Sequence, residues 1–230
     1  MINLINILTK YHVMLLNGAK ITLIVSILTI FFGLILGTLM AFMKMSKIAP
    51  LRWLANVYVE FIRGTPVLVQ ISIVFYGLPM MGIDIPSIMV GSVDISRLVS
   101  GIVALTINTT AYVCEIVRSG IQSIDKGQTE GALALGMTNV RTRFCIVLPQ
   151  AMKNILPALG NELIVLLKET SISGYIGLTD LTRGGDIIRS QTYSALFPLL
   201  AVAAIYLVIV CFLTYLVGKL ERRLRTNERK

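Results

Sequence analysis

Residues 21–43 read ITLIVSILTIFFGLILGTLMAFM, a run without one charged side chain. A helix needs about 20 mostly apolar residues to cross the hydrocarbon core of a bilayer. Helix is the form that satisfies every backbone group inside the segment where water is absent. This run is therefore read as a membrane span, and a second uncharged run, LFPLLAVAAIYLVIVCFLTYLV at 196–217, is read the same way. Three further stretches qualify with polar residues inside them: 54–82 apart from Glu60 and Arg63, 98–117 apart from Glu115, and 144–167 apart from Lys153 and Glu162. Five spans are expected. The composition agrees, because 55% of the 230 residues are hydrophobic and 14% are charged, where a soluble domain carries about 25% charged residues. A mean hydropathy of +0.80 is more apolar surface than one soluble core can bury, which excludes a soluble enzyme.

The 21 Lys and Arg against 12 Asp and Glu leave a net charge of +9. Their positions decide between a nucleic-acid partner and a membrane leaflet. With the spans removed, 14 basic residues fall on one side: Lys44, Lys47, Arg52, Arg118, Lys126, Arg141, Arg143, Lys153 and six in the tail from Lys219 to Lys230. Six (Lys10, Lys20, Arg97, Lys168, Arg183 and Arg189) fall on the other, and Arg63 lies within a span. Short connectors rich in Lys and Arg face the cytoplasm. The N-terminus is thus expected outside and the tail ERRLRTNERK inside, as an odd number of spans requires. The excess is topological, and no nucleic-acid partner is expected.

No cleavable signal peptide is expected, since the first apolar run starts late and lacks a small-residue cleavage site. Cys114, Cys145 and Cys211 lie in or beside spans at no metal-ligand spacing, so they read as small apolar residues and no metal is expected. His12 reads as an interfacial side chain. Without repeats or low-complexity linkers, residues 1–230 are expected to form a single membrane domain.

The longest cytoplasmic connector follows Arg118 and reads SGIQSIDKGQTEGALALGMTNVRTR. Both ends of a short helix are marked in it. Asp125 can cap the first-turn amides, Gln128 stands at capping-box spacing, and Gly136 follows Leu135 where a left-handed cap residue belongs. Ala132, Leu133 and Leu135 give a small apolar surface, and Glu130 suits the early turns, where the helix dipole favours an anion. Such a helix can dock in a groove of another protein or lie on the lipid surface. These residues alone leave both open.

Glu130-Gly131-Ala132, then Gly136, then Ile146 after nine residues, then Leu148-Pro149, resembles the EAA signature of the membrane subunits of binding-protein-dependent ABC importers. Gly131 stands where the family usually has Ala. The resemblance extends over nearly the whole chain. It implies an all-α integral membrane protein with the type I importer permease fold, five transmembrane helices and a cytoplasmic coupling helix seated in a cleft of an ATPase subunit. No GxxxxGK[ST] phosphate loop occurs in the sequence. ATP and Mg are accordingly expected on a partner ATPase and no cofactor on this chain. The implied assembly pairs the chain with an identical or homologous permease, two cytoplasmic ATPase subunits and an extracytoplasmic binding protein, in a bacterial inner membrane.

Ionisable groups at membrane depth are costly, on the order of 3 kcal/mol each on insertion scales, so each marks a candidate site. Glu60 and Arg63 are spaced i, i+3 and can neutralise one another. Gly64-Thr65-Pro66 should then break the helix, because Pro66 lacks an amide hydrogen and disfavours helical geometry at Thr65. Broken helices offer backbone groups to polar cargo. FIRGTPVLVQ at 61–70, Asn108 to Tyr112 (NTTAY) with Glu115 and Arg118 beyond, and Asn161 with LLKETS at 166–171 look like motifs of the polar amino-acid subgroup of these permeases.

Arg63 and the backbone near Thr65 are candidates for a carboxylate, and Glu60 or Glu162 for an amine. Glu162, after Pro157 and Gly160, which can bend the fourth span, suits a cationic side chain. Basic amino acids are therefore the favoured cargo, with glutamine, glutamate or cystine as alternatives, and an aqueous vestibule lined by Glu162 as the plain reading. Lys168 and Glu169 read as a pair near the outer end. Segment 170–195 has too many polar groups and glycines for a sixth span and resembles the external re-entrant segment and short helix before the last span of the family, which implies that with 83–97 it receives the binding protein. From another functional class, an ion-coupled secondary transporter or channel remains a competitor, poorly matched by five spans without an inverted repeat.

Overall fold

A computed structural model describes residues 4–83, 85–91 and 93–226 of the chain. Arg229 and Lys230 of the basic tail, and Asp84 and Ser92 of segment 83–97, lie outside the described residues. The first apolar run forms α2 (His12–Lys44), longer at both ends than the run itself and preceded by a short helix α1 (Leu4–Lys10) whose Ile7 is buried. Its main partner is α5 (Ile95–Gln122), and small residues make that contact close. A Cβ at Gly33 would lie 2.7 Å from Thr109 Cγ2, and one at Gly37 would lie 2.6 Å from Val113 Cβ. Glycines four apart on one helix face let two backbones approach where no hydrophobic effect separates lipid from protein.

α5 occupies the centre. In its most apolar window 61% of residues are buried, against 28% for α2 and 17% for α10 (Leu196–Thr226). The outer faces of α2 and α10 present Phe31, Phe32, Leu207, Val208 and Phe212 without protein cover, as lipid-facing or partner-facing surfaces do.

The expected break is present. α3 (Ala49–Arg63) ends at Gly64, α4 (Val67–Met80) starts after an extended Pro66, and the two are bent by 106°. Among the described residues, three helices (α2, α5 and α10) are long and apolar enough to span, and the bent α3–α4 pair makes at most a fourth. The fifth expected span corresponds to α8 (Leu148–Glu169), which is long enough at about 33 Å but carries Lys153, Glu162, Lys168 and Glu169.

Pro157 does not end α8, which runs unbroken through it. Gly160 serves a close contact, since a Cβ there would lie 2.7 Å from Val217 of α10. Between α5 and α8 lie α6 (Lys126–Ala134), α7 (Asn139–Thr142) and a π-helical turn, Arg143–Val147. Segment 83–97 holds a two-stranded hairpin, β1 (Met89–Val90) and β2 (Val93–Asp94), with Met89 opposite Asp94. Segment 170–195 forms a 3-10 stretch, Thr170–Ile176, and α9 (Leu181–Thr192), capped by Asp180 and packed against α1, α2 and α10.

Candidate functional site

The break leaves helix-end carbonyls without intrahelical partners, and local side chains take them up. Gly64 N–H donates to the Glu60 carbonyl at 2.8 Å, and the Thr65 hydroxyl donates to the Phe61 carbonyl at 3.0 Å. Gln70, on the first turn of α4, reaches back so that its Nε2 lies 2.7 Å from the Ile62 carbonyl, 3.1 Å from the Thr65 carbonyl and 2.8 Å from Thr65 Oγ1. Its Oε1 accepts from Asn108 Nδ2 of α5 at 2.9 Å. Both side chains are buried. Asn108 is thereby placed as a partner of Gln70 rather than a group facing open space.

Arg63 and Glu60 form no ion pair among the described residues, a departure from the expected mutual neutralisation. The Arg63 guanidinium stands over the ring of Tyr112, 5.4 Å from its centre, an attraction of about 0.5–1 kcal/mol at an exposed site and more when dry. Glu162 of α8 forms no ion pair with Arg63 among the described residues but lies within electrostatic range of it and of Glu169, which is about two turns along the same helix face. The break and Tyr112 of α5 thus meet at Arg63, with Glu162 of α8 within its electrostatic range and Glu169 beside Lys168 further along α8. Glu60 and Gly64 stay exposed at the end of α3. Asn161 is exposed about 100° round α8 from Glu162, and among the described residues no hydrogen bond ties it to the group.

Two side-chain links to α5 escape a reading by pattern. Gln70 closes the quoted stretch FIRGTPVLVQ, and one amide in the apolar run after Pro66 was its only signal. Lys44 sends Nζ to Glu115 Oε1 at 2.6 Å, while Arg118 reaches Glu115 Oε2 at 2.7 Å. The Lys44 contact joins residues 71 apart, and no local spacing announces it.

At the other end of α5, α6 has the expected boundaries at both ends. Asp125 accepts from the Gly127 amide at 2.6 Å. Gly136 adopts φ +83°, with its amide bonded to the Leu133 carbonyl and that of Met137 to the Ala132 carbonyl, the double closure of a Schellman cap. Gln128 does not complete a capping box: its side chain accepts from Gln150 Nε2 at 3.4 Å instead. The expected apolar surface divides. Ala132 is buried against its own chain, whereas Leu135 is 87% exposed and joins exposed Leu133, Val140 and Phe144. Glu130 and Gly131 are exposed beside them.

Residues 33–226 match the model of the family described as binding-protein-dependent transport system inner membrane component. Over 215 residues, 93% of this chain and 94% of the relative, the sequence is 40% identical to the arginine transport system permease protein ArtQ of Bacillus subtilis. It is 37% identical over 211 residues to the putative glutamine transport system permease protein GlnP of Rickettsia conorii, covering 92% of this chain and 93% of that one. The fold superposes with a TM-score of 0.88 on a crystal structure of an amino acid ABC transporter with histidines, at 43% identity and over 97% of this chain and 99% of that one. These likenesses set aside an ion-coupled carrier, and the chain belongs to the family of inner-membrane components of binding-protein-dependent transport systems, multi-pass permease subunits of ABC importers whose ATPase site lies on a separate partner.

Proposed function

We propose that this permease subunit carries a basic L-amino acid (arginine, lysine or histidine) inward by alternating access driven by its ATPase partners. Glu162 carries the reading. It is half-buried on α8 with Glu169 on its own face and Arg63 within electrostatic range, and with Lys168 acting on Glu169 the group holds two carboxylates and two cations. A cationic amino acid brings one anion and two cations. Its α-carboxylate matches Arg63 and the amides at Thr65 and the start of α4, where a helix N-terminus favours negative charge. Its cationic ends match Glu162, with Glu60 and Glu169 as further acceptors and Tyr112 and Asn161 as flanking groups. A desolvated charge needs such a partner. The likeness to a permease named for arginine supports this cargo, and the likeness to one named for glutamine supports glutamine as the second reading.

In the assembly we propose, residues 1–230 act as one membrane domain of five spans, the α3–α4 pair and α8 being the two with polar interruptions. The chain pairs with an identical or homologous permease over two ATPase subunits. The capped helix α6, with Asp125, Gln128, Glu130, Gly131, Ala132, Leu133 and Gly136, is the part that enters the ATPase. The excess of basic residues on one set of connectors supports a cytoplasmic C-terminus and an external N-terminus. The exposed external segments supply the docking face for a solute-binding protein.

Uptake of labelled arginine and glutamine into proteoliposomes holding the full complex tests the cargo. Replacing Glu162→Gln is expected to lower arginine uptake at limiting concentration by at least about tenfold, since truncating one partner of a desolvated charge pair costs that much or more. Glutamine uptake should not fall in parallel. Unchanged arginine uptake would sink the assignment.

A further inference from the structure

We propose that Gln70 is a positioning residue that fixes the shape of the α3–α4 break and, through it, the affinity for cargo. The inference rests on the reading that the break faces the cargo. Three features carry it. Gln70 stands on the far side of a 106° bend from the carbonyl it serves at Ile62, eight residues back. Its amide also takes the carbonyl and hydroxyl of Thr65. Ile62 and Thr65 flank Arg63 and Gly64, so one side chain holds the segment bearing the Arg63 guanidinium from both ends. Third, its remaining polar atom accepts from Asn108 of α5, the helix that also carries Tyr112, beneath Arg63.

The amide cannot be turned round without loss. Two carbonyls face its nitrogen, and a carbonyl accepts only, so the oxygen of Gln70 must meet the donor of Asn108. Gln70 is 6% exposed, and its bonds to the Ile62 carbonyl and to Asn108 are buried, where water is a poor substitute. Removing them would leave the Ile62 carbonyl only the longer bond from the Thr65 hydroxyl, 3.4 Å, and the Asn108 amide without its acceptor, and the cheapest escape is for α3 to turn relative to α4. That movement carries Arg63 away from Tyr112 and from Glu162. A residue that only filled space would set how much complex assembles and how fast it works, not how tightly it holds cargo.

The test uses the whole complex in proteoliposomes with labelled arginine, and compares Gln70→Glu and Gln70→Met. The half-saturating arginine concentration, the maximal rate and ATPase turnover without cargo are read separately. Gln70→Met is expected to raise the half-saturating concentration about tenfold or more. Gln70→Glu, which keeps the length and regains one donor when protonated, should shift it less, and less still as pH is lowered, each value being taken as a ratio to the parent at the same pH so that titration of Glu162 and Glu169 cancels. Maximal rate and cargo-independent ATPase turnover should stay within about twofold. If Gln70→Met fails to assemble, Gln70→Glu and its pH response decide. An unchanged half-saturating concentration, or a loss confined to rate and ATPase turnover, overturns the proposal. Arg63→Ala and Glu162→Gln run alongside. If they raise the half-saturating concentration while the Gln70 variants do not, this inference alone fails, and if none of the four does, the cargo reading fails with it.

Discussion

Adding a methyl group at Gly37 tests the packing that sets the position of α5. A Cβ built there lies 2.6 Å from Val113 Cβ, 2.7 Å from Val113 Cγ1 and 2.9 Å from the Thr110 carbonyl oxygen, where ordinary contacts begin at 3.4 Å. The two helices would have to separate by about 0.8 Å, and overpacking of this kind costs about 1–3 kcal/mol. Alanine returns up to about 1 kcal/mol through helix propensity. With a backbone oxygen among the clashing atoms the cost falls at the upper end, for a net loss of about 1–2 kcal/mol. At about 2–4 °C per kcal/mol for a chain of this length, thermal unfolding of the purified complex should begin several degrees lower. Truncating Val113→Ala will not rescue Gly37→Ala, because the Cβ at 2.6 Å remains. Gly33→Ala is the contrast. Its close atom is Thr109 Cγ2 at 2.7 Å, with Cβ already at 3.2 Å, so Thr109→Ser should restore that variant. A Gly37→Ala complex as stable as the parent, or one rescued by Val113→Ala, would refute the close approach of α2 and α5.

Glu115 holds two cations at 2.6 and 2.7 Å with side chains 15–30% exposed. Glu115→Gln should destabilise the complex by about 1–3 kcal/mol, and Lys44→Met should cost clearly less in that background than in the parent, as measured by a double-mutant cycle on unfolding. At Gly136, φ +83° puts a side chain in the left-handed region, and Gly136→Val should cost about 1–3 kcal/mol locally. Since a Cβ there would meet nothing within 4 Å, the loss should register as weaker stimulation of ATPase turnover by cargo rather than as a lower unfolding temperature.

How far the sequence discloses this molecule depends on the range of the interaction concerned. The break at Gly64-Thr65-Pro66 and both ends of α6 were legible because proline, a capping aspartate and a left-handed glycine act on their own backbone. The uncharged runs gave α2 and α10 for the same reason, since a helix in lipid must satisfy itself. Pro157 lies within a continuous α8, since its ring removes a single hydrogen bond of the ladder. The i, i+3 spacing of Glu60 and Arg63 misled, because Tyr112 of another helix captures the guanidinium. Gln70–Asn108 and Lys44–Glu115 bridge separations of 38 and 71 residues, and no local periodicity records a partner that only folding brings near.

Those long-range bonds converge on α5. It runs without a proline from Ile95 to Gln122, and three residues after its Ser123 cap the chain enters α6 at Lys126. Near its N-terminal end Arg97 donates to the Gly177 carbonyl at 3.0 Å, at mid-length Asn108 bonds Gln70, one turn on Tyr112 lies under Arg63, and at Glu115 the ion pair with Lys44 fixes it to α2. Gly120 lets Ile155 of α8 close on the same helix. An unbroken helix does not change length appreciably when its end is displaced, so a push on α6 reaches Asn108 and Tyr112 as a shift of the whole rod. In the proposed mechanism the ATPase acts at one end of this rod and the cargo at its middle. What links them is then two side-chain contacts on α5, one to the amide that shapes the break and one to the guanidinium that the break presents.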